Sequence, residues 1–215
     1  MLKLSAVLFA VGFVILCYGV YTVFNLPPIP AETISESYRI VFFHVPAAIS
    51  SYVAFTITFI SSIAFLRSEN TKYDIFALSS AKFGIAMITA ALVSGSIWAK
   101  VAWGSYWNWD PRETFVLILW FAYAAYFALR ATIEDDFTKA KYAAVYSIFA
   151  FVTVPLSYMS STIFFSLHPT TSELKFDFVR GLTLGLMLIS FLLLYVSYLI
   201  IDTKVSMLEE VSKVE

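Results

Sequence analysis

Six long stretches of this chain carry no charged residue: 4–31, 40–66, 83–99, 114–129, 142–172 and 181–201. No other feature constrains the fold as strongly. A backbone immersed in lipid must satisfy its own hydrogen bonds, and a helix of about 17 to 25 residues does so across a bilayer. The spacing predicts an all-α polytopic membrane protein, a bundle of six transmembrane helices near 5–24, 46–66, 76–98, 112–130, 142–163 and 179–201. The fourth stretch is short, and Thr114 and the aliphatic stem of Arg130 extend it. Hydrophobic residues make up 60% of the 215 positions and charged residues only 13%, which sets the chain apart from soluble domains. A net charge of −1 leaves no basic excess for phosphates, so nucleic acid is not an expected partner and the lipid bilayer is.

No internal repeat, linker or low-complexity tract interrupts the pattern, so residues 1–215 read as a single domain. The first stretch is too long for a signal-peptide core and lacks a clear small-residue cleavage pattern before Glu32, so it is expected to stay uncut. Lone Cys17 offers no disulfide or metal cage and is expected to pack. With the N-terminus inside, nine basic residues lie inside and five outside, which favours cytoplasmic termini. Glu134-Asp135-Asp136 then forms a solvated inner turn. Thr33 to Glu36 and Thr170 to Glu173 fit the capping-box pattern and predict short amphipathic outer helices before the second and sixth spans. No acidic residue falls within the charge-free stretches, which argues against an ion-coupled transporter.

Six spans place loops 1, 3 and 5 on one face. Loop 1 ends in Tyr38-Arg-Ile-Val-Phe-Phe-His44-Val-Pro46, and loop 5 holds Phe164-Phe-Ser-Leu-His168-Pro169. Loop 3 carries Trp98, Trp103, Trp107 and Trp109, four of the five tryptophans. The chain has only two histidines, and both fall on this face. Such flat aromatic surface beside Lys100, Asp110, Arg112 and Glu113 suits a large planar ligand with acidic groups, and haem fits that description. Two imidazoles from different segments can approach opposite faces of one porphyrin. The competing reading makes each histidine a helix-end hydrogen-bonding group and the tryptophans members of an interfacial belt. A belt would be spread over all helix ends, and this one is not. Pro46 and Pro169 are expected to hold extended backbone just before them and so to fix the histidine loops.

Asp110 at the N-cap, Pro111 at the first helical position and Glu113 at the third make a sharp start for the fourth helix, with Glu113 able to complete a capping box. Lys100 and Arg112 could pair with haem propionates, or could be interfacial charges with snorkelling stems.

Trp103-Gly-Ser-Tyr-Trp-Asn-Trp-Asp-Pro-Arg-Glu-Thr114 resembles the tryptophan-rich signature, the WWD motif, of the haem-handling proteins of cytochrome c biogenesis. His44-Val-Pro-Ala-Ala48 after Arg39-Ile-Val-Phe-Phe43 resembles one branch, the haem exporter protein C (CcmC) family of the cytochrome c maturation system. Helix count and the place of His168 also match that branch. The resemblance implies haem b bound transiently and without covalent attachment at the outer face of the cytoplasmic membrane. It implies His44 and His168 as axial ligands of the haem iron, with Trp103, Gly104, Trp107, Trp109 and Asp110 as a platform and its frame. It further implies work beside the ATPase and membrane subunits of an ABC-type transporter, and delivery to a membrane-anchored periplasmic haem chaperone. The chain lacks the Gly-x-x-x-x-Gly-Lys nucleotide loop, so any ATP hydrolysis falls to a partner and the chain itself is not expected to be an enzyme.

Asp110-Pro-Arg-Glu-Thr114 and the following Phe115 to Trp120 resemble instead the cytochrome c synthetases of the second biogenesis system. Those are larger, with a further histidine pair inside the membrane. This chain has no spare histidine for such a pair, and its size and two-histidine inventory favour the exporter branch. The synthetase, a haem attachment enzyme, is the alternative function. A b-type electron carrier is a further rival, disfavoured because no histidine lies in mid-membrane.

Overall fold

The computed structural model describes residues 2–28, 36–169 and 176–212. These residues form seven helices and no strand: α1 Leu2–Asn25, α2 Val41–Ser68, α3 Thr71–Trp103, α4 Pro111–Thr132, α5 Asp136–Ala150, α6 Thr153–Ile163 and α7 Phe178–Ser212. A 3₁₀ turn, Ser37–Ile40, runs directly into α2. Six segments are long and apolar enough to cross a membrane, with α5 and α6 together making one, Asp136–Ile163. The expected all-α, six-span architecture is thus what the chain adopts.

Several boundaries differ from the sequence expectation: α3 and α5 begin five and six residues early, α7 runs eleven residues past 201, and three further departures have a local reason. α2 begins five residues before position 46 because the 3₁₀ turn nucleates it, so His44 lies in its second turn and Pro46 inside the helix. The backbone before Pro46 is therefore helical rather than extended. A membrane helix tolerates the lost N–H, since neighbouring groups compensate for it. α3 continues through Trp98 to Trp103, so the first half of the tryptophan run is helical. The fifth span breaks at Phe151 and Val152, whose N–H groups bond to the Ser147 and Phe149 carbonyls, and Pro155 has no N–H with which to continue a regular ladder there. Cys17 faces outward on α1 instead of packing inside. The predicted outer helices at Thr33–Glu36 and Thr170–Glu173 fall largely outside the described residues.

α2 packs most extensively on α3 and also touches α7 and α5, while α1 lies along α7 and α4 along α6 and α5. Small residues allow these approaches. Ala47, Ser50, Ser51, Ala54, Ser61 and Ser62 of α2 are buried, as are Ala77, Ser79, Ser80, Ala81 and Gly84 of α3. Apolar burial drives little association when the solvent is lipid, so close packing and interhelical hydrogen bonds carry it. Ser80 donates to the Ala54 carbonyl at 2.7 Å, Ser147 to Ser62 at 2.7 Å, Ser197 to the Ser5 carbonyl at 2.8 Å and Trp120 to Thr89 at 2.8 Å. At the end of the bundle where α3 begins, Arg130 of α4 forms a two-pronged pair with Asp74 at 2.6 and 2.8 Å.

At the other end, Arg39 donates to the Val23 and Leu26 carbonyls, satisfying the last turn of α1 and pinning the 3₁₀ turn against it. Arg180 of α7 donates to the Pro27 carbonyl at 2.6 Å and stacks over Tyr38. The described parts of loops 1, 3 and 5 lie at one end, as the alternation of successive spans requires.

Candidate functional site

Between these loops lies a cavity of about 650 Å³, of a size suited to a drug-sized or larger ligand. Its walls are mostly apolar. They include His44, Trp98, Trp103, Trp107, Arg112 and His168.

His44 projects from α2 toward α3, where its Nδ1 lies 3.2 Å from Ser94 Oγ. That hydroxyl donates to the Ala90 carbonyl at 2.7 Å, so its remaining capacity toward the ring is as an acceptor. His168 sits in the segment between α6 and α7, with Nδ1 3.1 Å from the Pro169 carbonyl. A carbonyl only accepts, so the proton of each imidazole belongs on Nδ1. The lone pair then belongs to Nε2, an arrangement common among metal-binding histidines. Burial, together with the positive field of Arg112, holds the His168 pKa below its ordinary value. Its ring is therefore neutral and ready to donate electrons at pH 7.

The two rings have centroids 6.3 Å apart, tilted by 36°. A metal–imidazole bond is about 2 Å long, so two rings sharing one metal through Nε2 have centroids roughly 6 Å apart. Among the described residues no group of three or more His, Cys, Asp and Glu side chains could hold a bare metal ion. A pair of imidazoles suits a metal whose other positions are filled by a macrocycle, as haem iron is.

Trp103 meets His168 edge to face at 6.5 Å and Trp98 at 5.1 Å. Trp107 lies on the cavity wall. Trp109 does not: it is 75% exposed and packs edge-on against the outer side of Trp107 at 5.8 Å. Its φ of 55° is rare for a bulky residue and reverses the chain just before α4. Gly104 ends α3 with φ 81°, a left-handed geometry that glycine adopts freely. Nothing lies within 4 Å of where a Cβ would stand, so backbone conformation and not close approach accounts for this glycine.

Asp110 caps α4, accepting from the Arg112 N–H at 2.9 Å. Glu113 does not complete the capping box. Its carboxylate accepts from the Asn108 N–H at 2.9 Å, two residues upstream of the cap, because the Trp109 reversal brings that amide within reach. Lys100 also departs from the propionate reading: its ammonium donates to the Gly104 carbonyl at 2.9 Å and lies over Tyr106. It caps α3, where a cation is favoured by the helix dipole. Arg112 faces the cavity, donating to Ser161 at 2.6 Å and lying over Tyr158.

Sequence reasoning gave no functional role to Arg180, Asp177 or Tyr38, which also line the cavity. Arg180 pairs with Asp177, which in turn accepts the Arg180 N–H at 2.8 Å. The available signal was position, since Arg180 begins the last helix on the face shared by both histidines. Among the described residues six buried side-chain polar atoms lack a partner, and three of them, Trp98 Nε1, Arg112 Nε and Arg180 Nε, belong to cavity-lining residues. Buried unpaired donors are costly, and these three gather at one cavity.

The fold and site define a polytopic membrane protein with two facing imidazoles in an aromatic cavity at one end of its helical bundle. The chain belongs to the Cytochrome C assembly protein family, which it matches over residues 1–168. It is 32% identical over 164 residues to Heme exporter protein C of Bradyrhizobium diazoefficiens, covering 74% of this chain and 62% of that protein. It is 30% identical over 201 residues to Heme exporter protein C of Haemophilus influenzae, covering 91% and 82%. A stretch of 63 residues, 29% of this chain and 21% of the relative, is 48% identical to Cytochrome c biogenesis protein CcsA of Synechococcus sp.. The chain spans less than two thirds of the length of several relatives it matches, 59% of one, 62% of the Bradyrhizobium protein and 21% of the CcsA relative.

Proposed function

We propose that this protein binds haem b, transiently and without a covalent bond, at the outer face of the cytoplasmic membrane and presents it for transfer during c-type cytochrome biogenesis. The separation of the His44 and His168 rings, 6.3 Å between centroids, carries this reading. It is the spacing at which both can ligate one iron. Trp103 and Trp107 supply flat apolar surface for the macrocycle. Arg112 and Arg180, each with an unpartnered buried Nε, would take its two carboxylates, guanidinium being well suited to them. The cavity opens at an end of the bundle, as suits a ligand received and passed on. In this reading the chain works with the ATPase and membrane subunits of an ABC-type assembly and hands haem to a membrane-anchored periplasmic chaperone, with both of its own termini cytoplasmic.

The segment similar to CcsA proteins favours attention to a second reading, a cytochrome c synthetase that joins haem vinyl groups to apocytochrome thiols. Among the described residues, no cysteine lies at the cavity, and the chain holds no histidines beyond His44 and His168. Coexpression with apocytochrome as the only added partner separates the two. The haem-presenting role predicts no covalent product, whereas covalent haem in the apocytochrome would overturn it. Titration of the detergent-purified protein should saturate at one haem per chain with an absorption spectrum of two axial imidazoles, and absence of binding would refute both readings.

A further inference from the structure

Asp110 is 4% exposed and does not line the cavity, yet it gathers more hydrogen bonds than any cap requires. Besides the Arg112 N–H, its carboxylate accepts from the Leu167 N–H at 2.6 Å and from the Ser166 hydroxyl at 2.8 and 2.9 Å. Ser166 Oγ in turn accepts the His168 N–H at 3.1 Å. One carboxylate thus ties the start of α4 to three consecutive residues of the segment between α6 and α7, the last of them a histidine. The buried charge is stabilised by these donors and by the positive end of the α4 dipole. The arrangement calls for two acceptor oxygens. An amide would offer one, and its NH₂ would confront a donor.

We propose that Asp110 is a positioning residue for His168: it sets the backbone from which that imidazole reaches the ligand and does not itself touch the ligand. The acidic residue of the tryptophan-rich segment then couples the start of α4 to the axial ligand His168. Groups that orient a metal-ligating histidine typically change affinity by roughly 10- to 100-fold when removed. The inference rests on the proposed haem reading, in which His168 ligates iron.

The test compares wild type, Asp110→Ala, Asp110→Asn, Ser166→Ala and His168→Ala, each purified in detergent and loaded with haem, by absorption spectroscopy with and without added imidazole. Asp110→Ala is expected to reproduce the His168→Ala spectrum, to bind haem roughly 10- to 100-fold more weakly and to regain the two-imidazole spectrum when imidazole is supplied. Asp110→Asn should fall in between. Ser166→Ala leaves the helix cap untouched and should show a smaller change of the same kind, which keeps the proposal testable if Asp110→Ala fails to insert. Wild-type axial ligation in both Asp110→Ala and Ser166→Ala would overturn it. So would loss in Asp110→Ala that imidazole does not repair while it repairs His168→Ala. A wild type without a two-imidazole spectrum would instead sink the haem reading on which the inference stands.

Discussion

Gly95 has no side chain where His44 needs room: a Cβ there would lie 2.9 Å from Cε1 and 3.3 Å from Nδ1 of that ring. The ring can swing aside, so Gly95→Ala should leave insertion and thermal stability near wild type while weakening haem binding by about tenfold, as loss of an orienting contact does. A haem titration beside a thermal unfolding scan checks both halves. The tryptophans divide in the same way. Trp107→Ala removes a cavity wall and should weaken binding severalfold, in line with about 1 kcal/mol for an aromatic contact. Trp109→Ala removes a ring that only backs Trp107 and should have a smaller effect. Equal losses in the two would contradict the division. The histidines and the cavity tryptophans were legible because rare residues in same-side loops are few. Asp177, Arg180 and Tyr38 were not, since they come to the cavity through a 3₁₀ turn and a helix start whose tertiary pairing leaves no periodic signal.

Each helix was legible as a span, because a charge-free run reports lipid exposure and little else. Its ends were not. The 3₁₀ turn lengthens α2, and the left-handed Gly104 stops α3 only at Trp103, so rules based on charge place both boundaries too far in. Between α3 and α4 the Asp74–Arg130 pair is largely shielded, with side-chain exposures of 14% and 11%. Asp74→Asn strands the guanidinium and should cost about 3 kcal/mol, the expectation for breaking a buried pair from one side. The cavity end of α3 lies roughly 30 Å away at 1.5 Å per residue, so haem affinity should hardly change. Unfolding in detergent measures the first effect and haem titration the second. A large loss of affinity would mean that the two ends of α3 are coupled.

At the scale of the whole molecule, the alternation of successive spans brings both histidines, the tryptophan run and two cavity arginines to one end, and the convergence of α2, α3, α4, α6 and α7 closes a cavity there. Topology was readable from the number of charge-free stretches alone. The distance between the two imidazoles was not, because it depends on the pitch of α2 and on the carboxylate of Asp110 holding a separate segment. Electron paramagnetic resonance of the ferric haem-loaded protein tests that distance most directly. The wild type should give a single low-spin signal of an iron with two imidazoles, and His44→Ala and His168→Ala should each convert it to a high-spin signal. A low-spin signal surviving in either single variant would contradict the sharing of one iron by these two rings.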